Sequence, residues 1–189
     1  GDVSVLSFHA TKIFHTVEGG AIVTNDDELA HRISYMRNFG HHGQEEFWGL
    51  GINGKNSEIH AAMGLCNLPH VPNIIQSRKQ VSNWYDELFR QTMLVRPGIP
   101  VETDYNYSYY PIIFPSETEL LKVRNDLNAN DIYPRRYFFP ALNKLPYMIY
   151  SKFPVTEKNS SSVLCLPLYP DLKKIEVERI YQIINRSLE

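Results

Sequence analysis

Two short β-branched runs with a basic loop between them constrain the start of this chain most strongly. Val3, Val5, Leu6 and Phe8 read as a strand, and Gly20 to Thr24 as a second one. The connecting stretch "HATKIFHTVEGG", His9 to Gly20, puts Lys12 between His9 and His15 and ends on the pair Gly19-Gly20. An ordinary lysine stays in water, protonated, with a pKa of about 10.4. Burial or a neighbouring cation lowers that value, and the neutral amine can then condense with a carbonyl. Lys12, at the end of an expected buried strand, is a candidate for that role. Ser7 could offer a hydroxyl to a phosphate, and Gly19 and Gly20 would let backbone approach a ligand closely. On spacing alone, a solvated loop lysine is the plainer reading.

The rest of the chain alternates between helical and extended patterns. Asn25 with Glu28 resembles a capping box ahead of a helix carrying Leu29, Ile33 and Met36, which should stop near Gly40. Asn38 to Asn56 is glycine-rich and has no clean period, so a long functional loop is expected. Ser57 to Asn67 is helical, with Ile59, Ala62, Met63 and Cys66 on one face. Pro69 and Pro72 interrupt it. A further helix runs to about Gln91 with Val71, Ile74, Val81, Tyr85 and Leu88 inward. "RPGIP", Arg96 to Pro100, suggests a boundary that divides the chain into residues 1–95 and 96–189. In the later part, strands are expected over Tyr107 to Phe114 and Ile132 to Tyr137, with a buried piece over Val163 to Pro170. Ser116 and Glu119 cap a helix holding Leu120, Val123 and Leu127, and a last helix carries Val177, Ile180, Ile184 and Leu188. That mixture reads as a small α+β domain.

Composition narrows the function classes. With 189 residues, 43% hydrophobic and 21% charged, the chain can bury a core of its own. A net charge of -2 with no basic block argues against nucleic acid as a partner. No apolar stretch approaches a membrane span. Cys66 and Cys165 lie far apart in sequence and read as buried, reduced thiols of a cytoplasmic protein. His41 and His42 are adjacent, share no helix face and lack a third ligand, so no metal site is expected. The tyrosines at 105, 107, 109 and 110 read as strand packing. Arg135 and Arg136 read either as ion-pair partners or as contacts to a bound ligand.

The order of residues says more than their spacing. "SFHATKIFHTVEGGAI" resembles the signature of the DegT/DnrJ/EryC1/StrS sugar aminotransferases, which are fold-type-I pyridoxal-phosphate enzymes. The pattern Ser-Phe-His, two variable positions, Lys, then Glu-Gly-Gly is met by Ser7, Phe8, His9, Lys12, Glu18, Gly19 and Gly20. "GINGKNSEIHAAMG", Gly51 to Gly64, resembles a second block of the same family. "YPRRYFFPALNKLPY" and "VLCLPLYPDL" resemble its carboxyl-terminal portion. The resemblance covers nearly the whole chain. It implies an α/β fold, the end of the large-domain sheet of fold type I followed by the small α+β domain.

The resemblance also implies roles. Lys12 would bind pyridoxal 5'-phosphate covalently and carry the proton during amino transfer. Ser7 would hold the cofactor phosphate and His9 would lie close to the cofactor. Asn53 would reach the phosphate of the neighbouring subunit's cofactor, which implies a homodimer whose Asn38 to Asn56 loops cross over. The substrate would be a nucleotide-linked deoxy-keto-sugar and the amino donor glutamate. Sugar dehydratases share the fold, but they commonly carry histidine at the lysine position, so Lys12 argues against that branch.

Some departures accompany the likeness. The aspartate that pairs with the ring nitrogen, the ring-stacking aromatic and most phosphate donors belong to an amino-terminal half that this chain does not show, so a truncated chain is expected. Asp2 stands too near Lys12 to be that aspartate. Lys55 and Asn56 stand where the second block often has Arg and Met. A non-catalytic remnant that folds and self-associates without cofactor is the alternative reading. Glu18 either orients Lys12 or caps a turn.

Overall fold

The structure, a computed structural model, describes residues 1–189 and divides them into two compact units, Gly1–Pro72 and Asn73–Glu189. The first unit opens with β1 (Ser4–Ser7) and β2 (Gly20–Val23), paired antiparallel with Val5 opposite Ile22 and Ser7 opposite Gly20. Helix α1 (Asp27–Met36) follows, then a small hairpin of β3 (His41–His42) and β4 (Glu46–Phe47), then α2 (Glu58–Asn67).

Local signals set these boundaries with one shift. The Asp26 carboxylate, not Asn25, accepts the Leu29 N–H and caps α1. Ser57 caps α2 by accepting the His60 N–H. The expected loop from Asn38 to Asn56 is partly ordered by β3 and β4 and by pairing of Asn38 with Asn53.

The expectation of a buried first strand does not hold. Val5 is 76% exposed and Ile22, opposite it, 49% exposed, so this apolar cross-strand pair is uncovered. Two strands cannot cover their own faces, and α1 leaves a cavity between Ala30, Ile33 and the strand residues Val5, Leu6 and Ile22. Side chains of α2 are uncovered too: Ile59, Leu65 and Cys66 are exposed and Gly64 alone is buried. The expected burial of Cys66 is corrected accordingly. In this unit only Thr16, Gly40 and Gly64 are buried.

The second unit holds the apolar core. A turn of 3-10 helix (Leu68–His70) precedes α3 (Val71–Phe89), and Pro72 sits in its first turn. Val81, Tyr85 and Phe89 of α3 pack with Tyr110, Ile112, Leu120, Leu164, Val177 and Ile184. Because α3 carries that core, the compact division falls at Pro72 and not at the Arg96–Pro100 turn. β5 (Tyr110–Ile113) and β6 (Val163–Leu166) pair antiparallel, with Tyr110 opposite Leu166. Val95 bridges to Ile113 and Arg135 to Cys165, one on each strand of the pair. α4 (Glu117–Asn128) and α6 (Lys174–Leu188) pack against each other, and α5 (Pro154–Ser162) runs directly into β6.

Ser116 caps α4 as expected, accepting the Glu119 N–H while its hydroxyl donates to the Glu119 carboxylate at 2.8 Å. Two predicted strands are shorter than expected. The Arg78 guanidinium takes the carbonyls of Tyr107 and Ser108 at 2.7 and 2.6 Å, so that stretch is held by a side chain before β5 begins. Ile132 to Tyr137 forms only the single bridge at Arg135, since Pro134 brings no N–H to a ladder. Arg136 donates to Glu117 at 2.7 Å and lies 3.5 Å from the Phe139 ring centroid, which gives the ion-pair reading a partner.

Candidate active site

β1 ends at Ser7, and the loop that follows is pinched at its base. The Phe8 N–H donates to the Gly19 carbonyl, and the Thr16 N–H to the Phe8 carbonyl, both at 2.9 Å. Inside that closure the Lys12 N–H donates to the His9 carbonyl at 2.9 Å, which makes a tight turn with Lys12 on its outer side. The Lys12 side chain is exposed, and no carboxylate pairs with it. Its expected burial fails, as does that of β1.

The turn links Lys12 to His9 through the backbone and His9 to Ser7. The His9 N–H reaches the Ser7 hydroxyl oxygen at 3.5 Å. The His9 ring meets the Thr11 N–H and hydroxyl at Nδ1, at 3.2 and 2.9 Å, and Nε2 lies 3.5 Å from the Glu18 carboxylate. Glu18 therefore faces His9, and neither orienting Lys12 nor capping through its carboxylate describes it. Its backbone carbonyl accepts the Thr16 hydroxyl at 2.9 Å.

The paired glycines serve the chain's own packing. A Cβ at Gly19 would meet Thr16 Oγ1 at 2.2 Å, and one at Gly20 would meet the Leu6 carbonyl oxygen at 2.7 Å. The space expected for a ligand at these positions is taken by the turn and the strand.

The second sequence block lies against the first. A Cβ at Gly64 would sit 2.9 Å from the Thr16 methyl, and the Asn67 amide donates to the His15 carbonyl at 3.0 Å. Asn56 Oδ1 lies 3.3 Å from the Cβ position of Gly19. Helix α2 is thus a wall for the lysine turn. Asn53 makes no hydrogen bond to Ser7, His9 or Lys12. Its side-chain oxygen accepts the Lys55 ammonium at 2.6 Å, which leaves its amide N–H groups free. Lys55 also sits 4.2 Å over the Phe39 ring. Sequence reading missed Thr16, Gly64 and Asn67, because none bears a chemistry of its own and their partners are remote in sequence.

The sequence profile of the DegT/DnrJ/EryC1/StrS aminotransferase family matches residues 1–185. The chain belongs to that family. Among DegT/DnrJ/EryC1/StrS relatives, the dTDP-4-amino-4,6-dideoxy-D-glucose transaminase of Shigella dysenteriae is 36% identical over 98% of this chain and 52% of its own length. A DegT/DnrJ/EryC1/StrS aminotransferase from Brucella abortus superposes with a TM-score of 0.89 at 26% identity, over 98% of this chain and 51% of that one. DesI, solved in the presence of its TDP-sugar product, superposes with a TM-score of 0.88 at 30% identity, over 98% of this chain and 49% of that one. The chain spans about half the length of the curated relatives it matches. The fold is accordingly a partial α/β fold of the family's aminotransferases, and no helix is long and apolar enough to cross a membrane.

Proposed function

We propose that this chain supplies the lysine-bearing half of a pyridoxal-phosphate-dependent aminotransferase that acts on a nucleotide-linked deoxy-keto-sugar, with glutamate as amino donor. The observation that carries the reading is the exposed Lys12 amine on a turn locked by its own hairpin and by the family's second block.

The donor set fits pyridoxal 5'-phosphate. An uncommitted primary amine at Lys12 suits an aldehyde, and the Ser7 hydroxyl suits a phosphate oxygen. The free amide of Asn53, with the Lys55 ammonium 2.6 Å from its oxygen, suits a second phosphate contact, which we assign to a cofactor held by another copy in a homodimer. When bound, the cofactor supplies an electrophilic aldehyde and a ring that withdraws electrons. Lys12 Nζ takes up and returns a proton during transfer. The backbone of Lys12 is tied to His9, His9 to the Ser7 hydroxyl, and the His9 ring to Thr11 and Glu18 at the edge of the same turn. Two cysteines without a disulfide suit the cytoplasm as the place of work.

Incubation with pyridoxal phosphate, borohydride reduction and peptide mapping test the reading. The adduct should concentrate at Lys12 and vanish in Lys12→Arg. Modification spread evenly over Lys12, Lys55 and Lys79 would favour a remnant that binds no cofactor. Joined to the upstream half of the Shigella dysenteriae relative, the chain should restore amino transfer to a nucleotide-linked keto-sugar, and Lys12→Arg should abolish it.

A further inference from the structure

Thr16 is the only buried residue of the first unit that has a side chain, at 5% exposure, since the other two are Gly40 and Gly64. It touches both halves of the site. Its N–H closes the lysine loop on the Phe8 carbonyl at 2.9 Å, and its hydroxyl donates to the Glu18 carbonyl at 2.9 Å. Its methyl faces α2, 2.9 Å from where a Cβ would stand on Gly64. The missing side chain of Gly19 makes room for its hydroxyl.

Between the two hydrogen-bonded residues lies Val17, with φ at 68°. A β-branched residue in the left-handed region is costly and persists only where neighbours fix it. The Thr16 hydroxyl spans that residue and anchors the far side of the turn. Without it Val17 relaxes towards ordinary φ, Glu18 shifts, and the Phe8 to Gly19 hydrogen bond that pinches the loop is lost.

We propose that Thr16 is a positioning residue for Lys12: through its hydroxyl bond to Glu18 and its seat against Gly64 it holds the turn that carries Lys12 in one conformation. The link to reactivity rests on the cofactor reading above; the holding of the turn does not.

Two variants separate the hydroxyl from the methyl. Thr16→Val keeps the shape against Gly64 and removes the donor. Thr16→Ser keeps the donor and removes the methyl. Amide hydrogen exchange at Lys12 and Thr16 reads the turn without cofactor. Thr16→Val should raise exchange about tenfold, the size expected for one lost internal hydrogen bond, and Thr16→Ser should restore protection to within a few-fold. Borohydride-fixed labelling with pyridoxal phosphate reads the amine. The share of adduct at Lys12 should fall by a similar factor in Thr16→Val and recover in Thr16→Ser, while labelling at Lys79 stays constant. Unchanged protection in Thr16→Val would overturn the positioning role. Loss of protection in Thr16→Val with unchanged labelling would overturn the link from Thr16 to the amine. An unmutated chain that labels its lysines evenly would instead sink the cofactor reading, and the exchange data would still decide whether Thr16 holds the turn.

Discussion

The side-chain amide of Asn67 donates to the backbone carbonyl of His15 at 3.0 Å, joining the end of α2 to the lysine turn across 52 residues of sequence. This bond ties the helix that carries the second family block to the first motif, in a unit with almost no apolar interior. Asn67→Ala leaves the His15 carbonyl without that partner and should loosen the turn by about 1 kcal/mol. Limited proteolysis should show faster cleavage between His9 and Val17, with the second unit untouched.

Gly64 is the other tie. An alanine there would place its methyl 2.9 Å from the Thr16 methyl and 3.6 Å from the Phe14 ring. Overpacking of this kind costs about 1–3 kcal/mol, more than alanine gains from its helix propensity. Gly64→Ala should therefore destabilise the first unit, read as increased amide exchange in the loop from Phe8 to Gly19.

The two thiols differ in access. Cys66 is exposed on α2, whereas Cys165 is buried in β6, where burial pushes its thiol up to about 11. A thiol reagent at neutral pH should modify one cysteine rapidly, and peptide mapping should place it at Cys66. Modification of Cys165 should wait for unfolding. Equal rates at both would contradict the packing of β6.

Alkaline pH should weaken the second unit. Burial raises the Tyr85 phenol well above its usual range, and Tyr110 is raised by burial and by its hydrogen bond to Asp86 at 2.8 Å. Both stay protonated in the fold where the unfolded chain would release its protons at about pH 10. Their contribution is complete below that pH and is lost as pH climbs above it. Denaturant midpoints followed from pH 8 to 11 should fall in the last part of that range. The fall should be smaller in Tyr110→Phe.

Acid acts on a different group. Glu157 is held at about 2, chiefly by the Phe153 N–H and then by Lys144, with Asn143 also donating to it. A carboxylate lowered in the fold contributes above its unfolded value near 4.5 and loses that contribution as pH falls towards 2. Carboxyl NMR titration should find Glu157 ionised after the exposed glutamates have protonated. In Glu157→Gln the segment from Asn143 to Phe153 should exchange faster at neutral pH.

Local signals were the legible part of the sequence. Ser57 and Ser116 announce their helices because a cap and its partner lie three residues apart. Leu120, Val123 and Leu127 repeat at helical spacing and are all fully buried. Helix α5 escaped because "PVTEKNSSS" carries no apolar period, and its serines bond instead to the chain around them, as Ser160 does to the Phe138 carbonyl. The motif residues Ser7, His9 and Lys12 could be named from their order, but the contacts that lock their turn could not. Those run from Thr16 to Gly64 and from Asn67 to His15, between positions whose residue types are ordinary. In the first unit, by contrast, an apolar pattern does not bring burial. Val5 and Ile22 alternate as core residues do, yet they face outwards.

Those bare side chains on the first hairpin have a practical meaning. Uncovered apolar rows beside unpaired backbone groups are the raw material of stacked-strand aggregates. Concentrating this polypeptide should turn its solutions cloudy unless something else shields Val5 and Ile22.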